Sequence, residues 1–113
     1  MSTTKITVEK FFDKIAPEHL ATLKVPQDKR HTFVFRLFGE KIEEWTIDMN
    51  RKKVTRGGLQ NPDMYLEMNN SDFLGMFNDE LDVKEAILSG RIRFEGNPML
   101  LVELGDVFGE KLN

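Results

Sequence analysis

The chain contains no cysteine. That excludes disulfide frameworks, thiolate metal sites, iron–sulfur clusters and a Cys nucleophile, and it suits a reducing compartment. Histidine is scarce. His19 and His31 are the only two, too few for a multi-histidine metal centre. A basic surplus is missing as well: 16 Lys and Arg stand against 19 Asp and Glu, a net charge of −3. General nucleic-acid binders carry an excess of cations, so no nucleic-acid partner is expected. The longest apolar run is Met99-Leu100-Leu101-Val102, far short of the roughly 20 residues of a membrane-spanning helix. Met1 to Ile6 offer no apolar h-region. The C-terminal Glu110-Lys111-Leu112-Asn113 passes through Lys-Leu without ending there. Neither a secretory signal nor a peroxisomal tripeptide is expected, and the expected location is cytoplasmic.

What is present is an ordinary globular composition. Of 113 residues, 40% are hydrophobic and 31% charged, which fits one domain over 1–113 with a core of its own. Val8, Phe11, Phe12, Ile15, Leu20 and Leu23 recur at helical spacing among Glu9, Lys10, Asp13 and Lys14. The spacing predicts an amphipathic helix with Thr7 as its N-cap. Pro17 either kinks this helix or starts a second one after Ala16. Thr32 to Phe38 reads as a strand with Phe33, Phe35 and Leu37 on one side. Glu44 to Met49 alternates with Trp45, Ile47 and Met49 inward. A tight turn at Asn50-Arg51 leads to a short strand near Lys53 to Arg56, and Met64, Leu66 and Met68 mark a fourth.

The period then changes. Asn70 is placed to cap a helix bearing Phe73, Leu74 and Phe77. Asp82-Val83-Lys84-Glu85 has capping-box form and opens a short helix that Gly90 closes. Arg91 to Glu95 reads as a fifth strand. Asn97-Pro98 reads as a cap and first residue of a last helix, Met99 to about Leu104. Runs of strands followed by alternation with helices predict an α+β fold, helices packed over one sheet.

Catalytic constellations are thin. Ser71 and Ser89 sit at helix termini, outside any G-x-S-x-G elbow. The acidic residues Asp79, Glu80 and Asp82 lack the ligand spacing of a calcium loop. Arg51, Lys52, Lys53 and Arg56 cluster at a hairpin. They serve either as a charged edge that deters aggregation or as a contact for anionic lipid headgroups. No catalytic residue and no metal or cofactor site is assigned, and the chain is read as a non-enzyme.

The informative feature is apolar and lies in the second half: Phe73, Leu74, Met76, Phe77, Leu81, Ile87, Leu88, Ile92, Phe94, Met99, Leu100, Leu101, Val102 and Leu104. A solid core accounts for such a set. Short helices roofing a sheet and leaving a lipid-sized cavity also account for it.

The stretch Asp63-Met64-Tyr65-Leu66-Glu67-Met68-Asn69-Asn70-Ser71-Asp72-Phe73-Leu74, then Asp82 to Leu88, Ser89-Gly90-Arg91-Ile92-Arg93-Phe94-Glu95-Gly96-Asn97 and Met99-Leu100-Leu101, resembles the sterol-carrier-protein type two family. The resemblance covers about residues 63 to 104, and the first half matches only in element order. It implies a five-stranded mixed, mostly antiparallel sheet with helices over one face, enclosing an apolar tunnel. It also implies non-catalytic binding, and transfer, of fatty acid, acyl-CoA, sterol or other lipids. By position it makes Phe73, Phe77, Ile92, Phe94, Met99, Leu100 and Val102 tunnel residues, and Ile87 of the short helix joins this ligand-binding set. The expected partners are an apolar small molecule and, transiently, a membrane surface, with the chain a monomer or weak homodimer. The alternative is an interaction or dimerisation module with a solid core that supports an enzyme acting on hydrophobic substrates.

Overall fold

Thr7 begins the first helical segment. Its backbone is extended and its hydroxyl oxygen accepts from the Lys10 amide at 3.1 Å, the expected cap. In this computed structural model, which describes residues 7–24, 30–78 and 80–101, Val8–Lys10 is α-helical, Phe11–Ile15 π-helical and Ala16–Thr22 α-helical again. We treat the three as one continuous helix, α1. Pro17 therefore neither ends the helix nor opens a separate one. It has no N–H to give to the Asp13 carbonyl, and its ring would crowd that carbonyl in a regular helix. One wide turn, in which the Ala16 amide donates to the Phe11 carbonyl five residues back, absorbs both problems.

Five strands form one sheet: β1 (Thr32–Phe38), β2 (Ile42–Asp48), β3 (Lys53–Arg56), β4 (Met64–Asn69) and β5 (Arg93–Gly96), in the order β3-β2-β1-β4-β5. β1 runs parallel to β4, and the other three pairings are antiparallel. The implied mixed, mostly antiparallel sheet is thus present. Phe33, Phe35 and Leu37 of β1, Trp45 and Ile47 of β2, and Met64, Leu66 and Met68 of β4 all point to one side and are buried. Period-two alternation puts them there, and the helices cover them.

The remaining helices are α2 (Asn70–Phe77), α3 (Val83–Leu88) and a 3-10 turn, Pro98–Leu100. Residue 70 is not the cap of α2. Asn69 is: its Oδ1 accepts from the Asp72 amide at 2.7 Å and from the Ser71 hydroxyl at 2.8 Å. A cap must keep non-helical backbone, and Asn69, ending β4 at ψ 164, still has it. Asp82 caps α3 through the Glu85 amide at 3.1 Å, and Asn97 caps the 3-10 turn through the Met99 amide at 3.0 Å. Gly90, at φ +84, ends α3 in the left-handed conformation that favours glycine. β5 starts at Arg93, two residues later than the sequence pattern indicates. The Arg91 and Ile92 amides are already given to the Ala86 carbonyl at the end of α3. Asp79, and residues 102–104 of the expected last helix, lie outside the described residues.

A column of rings joins α1 to α2 and the sheet. Phe12 stacks on Trp45 at 4.8 Å and on Phe73 at 5.2 Å, and it meets Phe11 edge-on at 5.1 Å. The Arg56 guanidinium lies over Trp45 at 4.3 Å and pairs with Glu9 and Glu43, at 3.1 and 3.5 Å. Full burial of each ring contributes on the order of 1.5–3 kcal/mol.

The other sheet face is mostly polar, apart from Val34 and, at the β1–β2 turn, the exposed pair Phe38 and Ile42. Val34 points away from the helices yet is buried. The chain at Gly58 crosses so close that a Cβ there would lie 2.5 Å from a Glu44 carboxylate oxygen and 3.9 Å from Val34 Cγ1. The Thr46 hydroxyl fixes this crossing by donating to the Gly57 carbonyl at 2.7 Å.

Candidate functional site

The expected ligand-binding residues fall into three groups. Phe73, Phe77 and Ile92 belong to the buried core. Phe73 touches Phe11, Phe12 and Phe35 with ring centroids 5.2–5.6 Å apart, and Phe77 meets Phe11 edge-on at 5.2 Å. Ile87, Phe94 and Leu100 are only half-buried and pack against the margin of that core. Met99 is 71% exposed. Val102 lies outside the described residues.

The middle group shows where the core is left unsealed. Phe94 is opposite Leu66 across the β4–β5 pair, so it faces the helices from the edge strand. Ile87 is on α3, whose end is tied to the start of β5 through the Ala86 carbonyl. Leu100 follows β5 on the 3-10 turn. Leu74, Leu81, Val83 and Leu101 are half-buried as well. The two most exposed large apolar side chains among the described residues, Leu88 at 80% and Met99, belong to the same stretch, 81–101. On the α1 side, by contrast, Phe11, Phe12, Leu20, Phe33, Phe35 and Ile47 are fully enclosed. Ile15 and Leu23 on the α1 side and Val54 of β3 are half-buried too, so among the described residues the difference is one of degree: the flank beside β5 carries more half-buried apolar side chains and the two most exposed large ones.

One polar pair positions this flank. Asp72, on the first turn of α2, is almost wholly buried, and its Oδ1 accepts from Arg91 Nη2 at 2.5 Å. Arg91 Nη1 lies 3.9 Å from Glu85. The hydrogen bond to Asp72 raises the Arg91 guanidinium above its ordinary value. The pair fastens the turn between α3 and β5 to α2, between Phe73 and Ile92. Sequence reading missed it. The signal was an Asp directly before the apolar Phe73-Leu74 of α2, matched by an Arg directly before a buried Ile.

The far side of the sheet carries a groove of about 550 Å³ lined by Asn61, Pro62, Asp63, Tyr65, Glu95 and Gly96. Its carboxylates make it a poor host for a hydrocarbon. Tyr65 donates to Glu67 at 3.0 Å, and burial, more than any other influence, pushes its phenol above the usual range. Among the described residues no group of three or more His, Asp or Glu is placed to hold a metal ion. No helix among them is long and apolar enough to cross a membrane.

Comparison with known proteins places this geometry. The model of the SCP-2 sterol transfer family matches residues 12–109. Hydroxysteroid dehydrogenase-like protein 2 of Xenopus tropicalis is 24% identical over 98 residues, 84% of this chain and 24% of its own length. The Homo sapiens protein of that name is 29% identical over 75 residues, 64% of this chain and 18% of its own. The chain therefore spans about a quarter or less of these relatives. Among solved structures, Sterol Carrier Protein 2 Like 2 from Aedes aegypti superposes with a TM-score of 0.73 at 22% identity, over 88% of this chain and 94% of that one. Sterol Carrier Protein-2 from Aedes aegypti, solved in complex with the C16 fatty acid palmitate, gives 0.67 at 23% identity over 100% of both chains. The sec-alkylsulfatase Pisa1 from Pseudomonas sp. gives 0.64 at 19% identity, covering 92% of this chain and 16% of that one.

Proposed function

Because this chain belongs to the SCP-2 sterol transfer family, we propose that it binds a lipid at the flank beside β5 and carries it without acting on it chemically. One observation in the fold supports this most: among the described residues, the half-buried apolar side chains and the two most exposed large ones concentrate along 81–101. Phe77, Ile87, Phe94 and Leu100 would make the wall. Phe73 and Ile92, held by the core, would make its floor, and Met99 would stand at the mouth. A similar fold holding palmitate supports an acyl chain as cargo.

The energetics agree with reversible carriage. Burying ~15 methylenes at ~0.8 kcal/mol each is worth ~12 kcal/mol gross, and association costs ~4–15 kcal/mol. An empty chamber of ~400 Å³, at ~24 cal/mol per Å³, would cost ~10 kcal/mol. That rivals the ~5–15 kcal/mol that holds a typical domain together. A permanently open dry tunnel is therefore unaffordable, and the half-buried side chains of the flank separate as the lipid enters. Native mass spectrometry of the purified protein, followed by organic extraction, tests this reading. We expect one lipid per chain, released on extraction. A lipid-free chain that also fails to take up added palmitate would refute it.

A second reading has its own support. The fold occupies 16% of the alkylsulfatase, and the chain spans about a quarter of the relative named dehydrogenase-like. In that reading the same flank serves beside a catalytic unit and hands it an apolar substrate.

A further inference from the structure

α3 is lightly attached to the rest of the fold. It is six residues long and buries only one of them, Ala86. At its start, the Glu80 and Leu81 amides both donate to the Gly75 carbonyl of α2, at 2.8 and 3.2 Å. The approach there is close: a Cβ on Gly75 would lie 3.2 Å from Leu81 Cβ. At its far end, the Asp72–Arg91 pair joins it to α2 through side chains 19 positions apart. The Arg91 amide donates to the Ala86 carbonyl at 2.8 Å, so Arg91 and the end of α3 go together. Beyond Arg91 the buried Ile92 anchors the chain again. The two partners of the pair are unequal. Asp72 is 4% exposed, and its Oδ2 has no hydrogen-bond partner among the described residues. Arg91 is half-exposed. The cation is thus free to swing into water, and the carboxylate is left buried and uncompensated when it does. Ile87, on the proposed wall, rides on the helix between these attachments.

We propose that the Asp72–Arg91 pair is the latch that sets how fast lipid enters and leaves: α3 lifts from the flank when Arg91 lets go of Asp72. The inference rests on the lipid-binding reading and adds to it the residues that control exchange. Physics favours a closed resting state. A buried carboxylate without its cation is costly, so Arg91 returns. Lifting α3 admits water to Asp72, which lowers that cost and makes the open state reachable. The movement withdraws one buried side chain, the Ala86 methyl, while Ile87 leaves the margin of the core. In this scheme the pair makes no contact with the acyl chain, so it acts on rates and not on affinity. Weakening it raises the open population of the empty and the loaded protein alike. Association and release then quicken by the same factor, and Kd is unchanged.

The test is stopped-flow kinetics of a pyrene-labelled fatty acid, mixed with the whole chain for association and chased with excess palmitate for release. Arg91→Gln should raise both rates at least about tenfold, the worth of a hydrogen bond between charged groups, and leave Kd within about twofold. Arg91→Lys, which keeps the cation, should recover most of the parent behaviour. Arg93→Gln should change neither rate, since Arg93 lies on the opposite sheet face and pairs there with Glu67 at 3.5 Å. If Arg91→Gln fails to fold, Asp72→Asn decides. It keeps the shape, removes the buried charge, and should quicken both rates in equal proportion. Unchanged rates in a folded variant of the pair would overturn the latch. Faster release with unchanged association would overturn it too, and would make the pair an ordinary wall contact. A parent chain that takes up no fatty acid refutes the proposed function, and the latch with it.

Discussion

Phe12→Ala is expected to remove about 3–5 kcal/mol of stability. Phe12 is 1% exposed and lies between Trp45 and Phe73 in the ring column, with Phe11 and Phe35 also in contact. Truncation removes the transfer free energy of a full ring and leaves a cavity whose walls come from α1, β1, β2 and α2. Because Phe11, Ala16 and Leu20 hold α1 in the core at full burial, it cannot simply settle into the gap. Each lost ring pair adds ~0.5–1.5 kcal/mol to the effect. Trp45 is the only tryptophan, so urea unfolding followed by its fluorescence reads the column directly. The exposed Lys14→Ala on the same helix should stay within about 0.5 kcal/mol of the parent. A loss below about 1 kcal/mol for Phe12→Ala would mean that the column is not where the fold's stability is concentrated.

The second large effect concerns the flank. Leu100→Glu should lower affinity for palmitate at least tenfold, or about 1.4 kcal/mol, with much less effect on the empty protein. The difference comes from burial. Leu100 is half-buried, so a carboxylate there can turn to water when no ligand is present. A bound acyl chain would remove that water, and an unpaired charge facing hydrocarbon is costly. In the parent, palmitate at about 100 times its Kd should add ~2.7 kcal/mol to stability, which for a chain of this size raises Tm by roughly 10 °C. The variant should lose most of that rise. An equal rise in parent and variant would remove Leu100 from the wall.

The strands were legible because each shows its own alternation. Phe33-Phe35-Leu37 and Trp45-Ile47-Met49 name their buried face without any neighbour. Caps at Thr7, Asp82 and Asn97, and the glycine end of α3 at Gly90, were legible because a local hydrogen bond or a positive φ decides them. Where two identical residues compete, as at Asn69 and Asn70, the choice depends on which one the preceding strand keeps extended, and composition is silent on that. The wide turn before Pro17 was hidden for a similar reason. The sequence shows the missing donor, but backbone geometry decides how the helix absorbs it.

The site was less legible than the fold. Spacing marks Phe73, Ile87, Ile92 and Phe94 as apolar and inward, but not which are locked by rings arriving from α1. Phe73 is held by Phe11 and Phe12, more than 60 positions earlier. Met99 looked like wall and is 71% exposed, because the 3-10 turn after Asn97 is too short to bury every side. The parallel β1–β4 pairing, which sets β5 at the open edge, has no local signature at all.

Methyl-resolved NMR during titration with palmitate locates the cargo. The account predicts saturable shifts at equimolar ligand for Ile87, Met99 and Leu100, while Ile47 beneath α1 stays still. Shifts confined to the polar groove around Tyr65 and Glu95, or none that saturate, would contradict it.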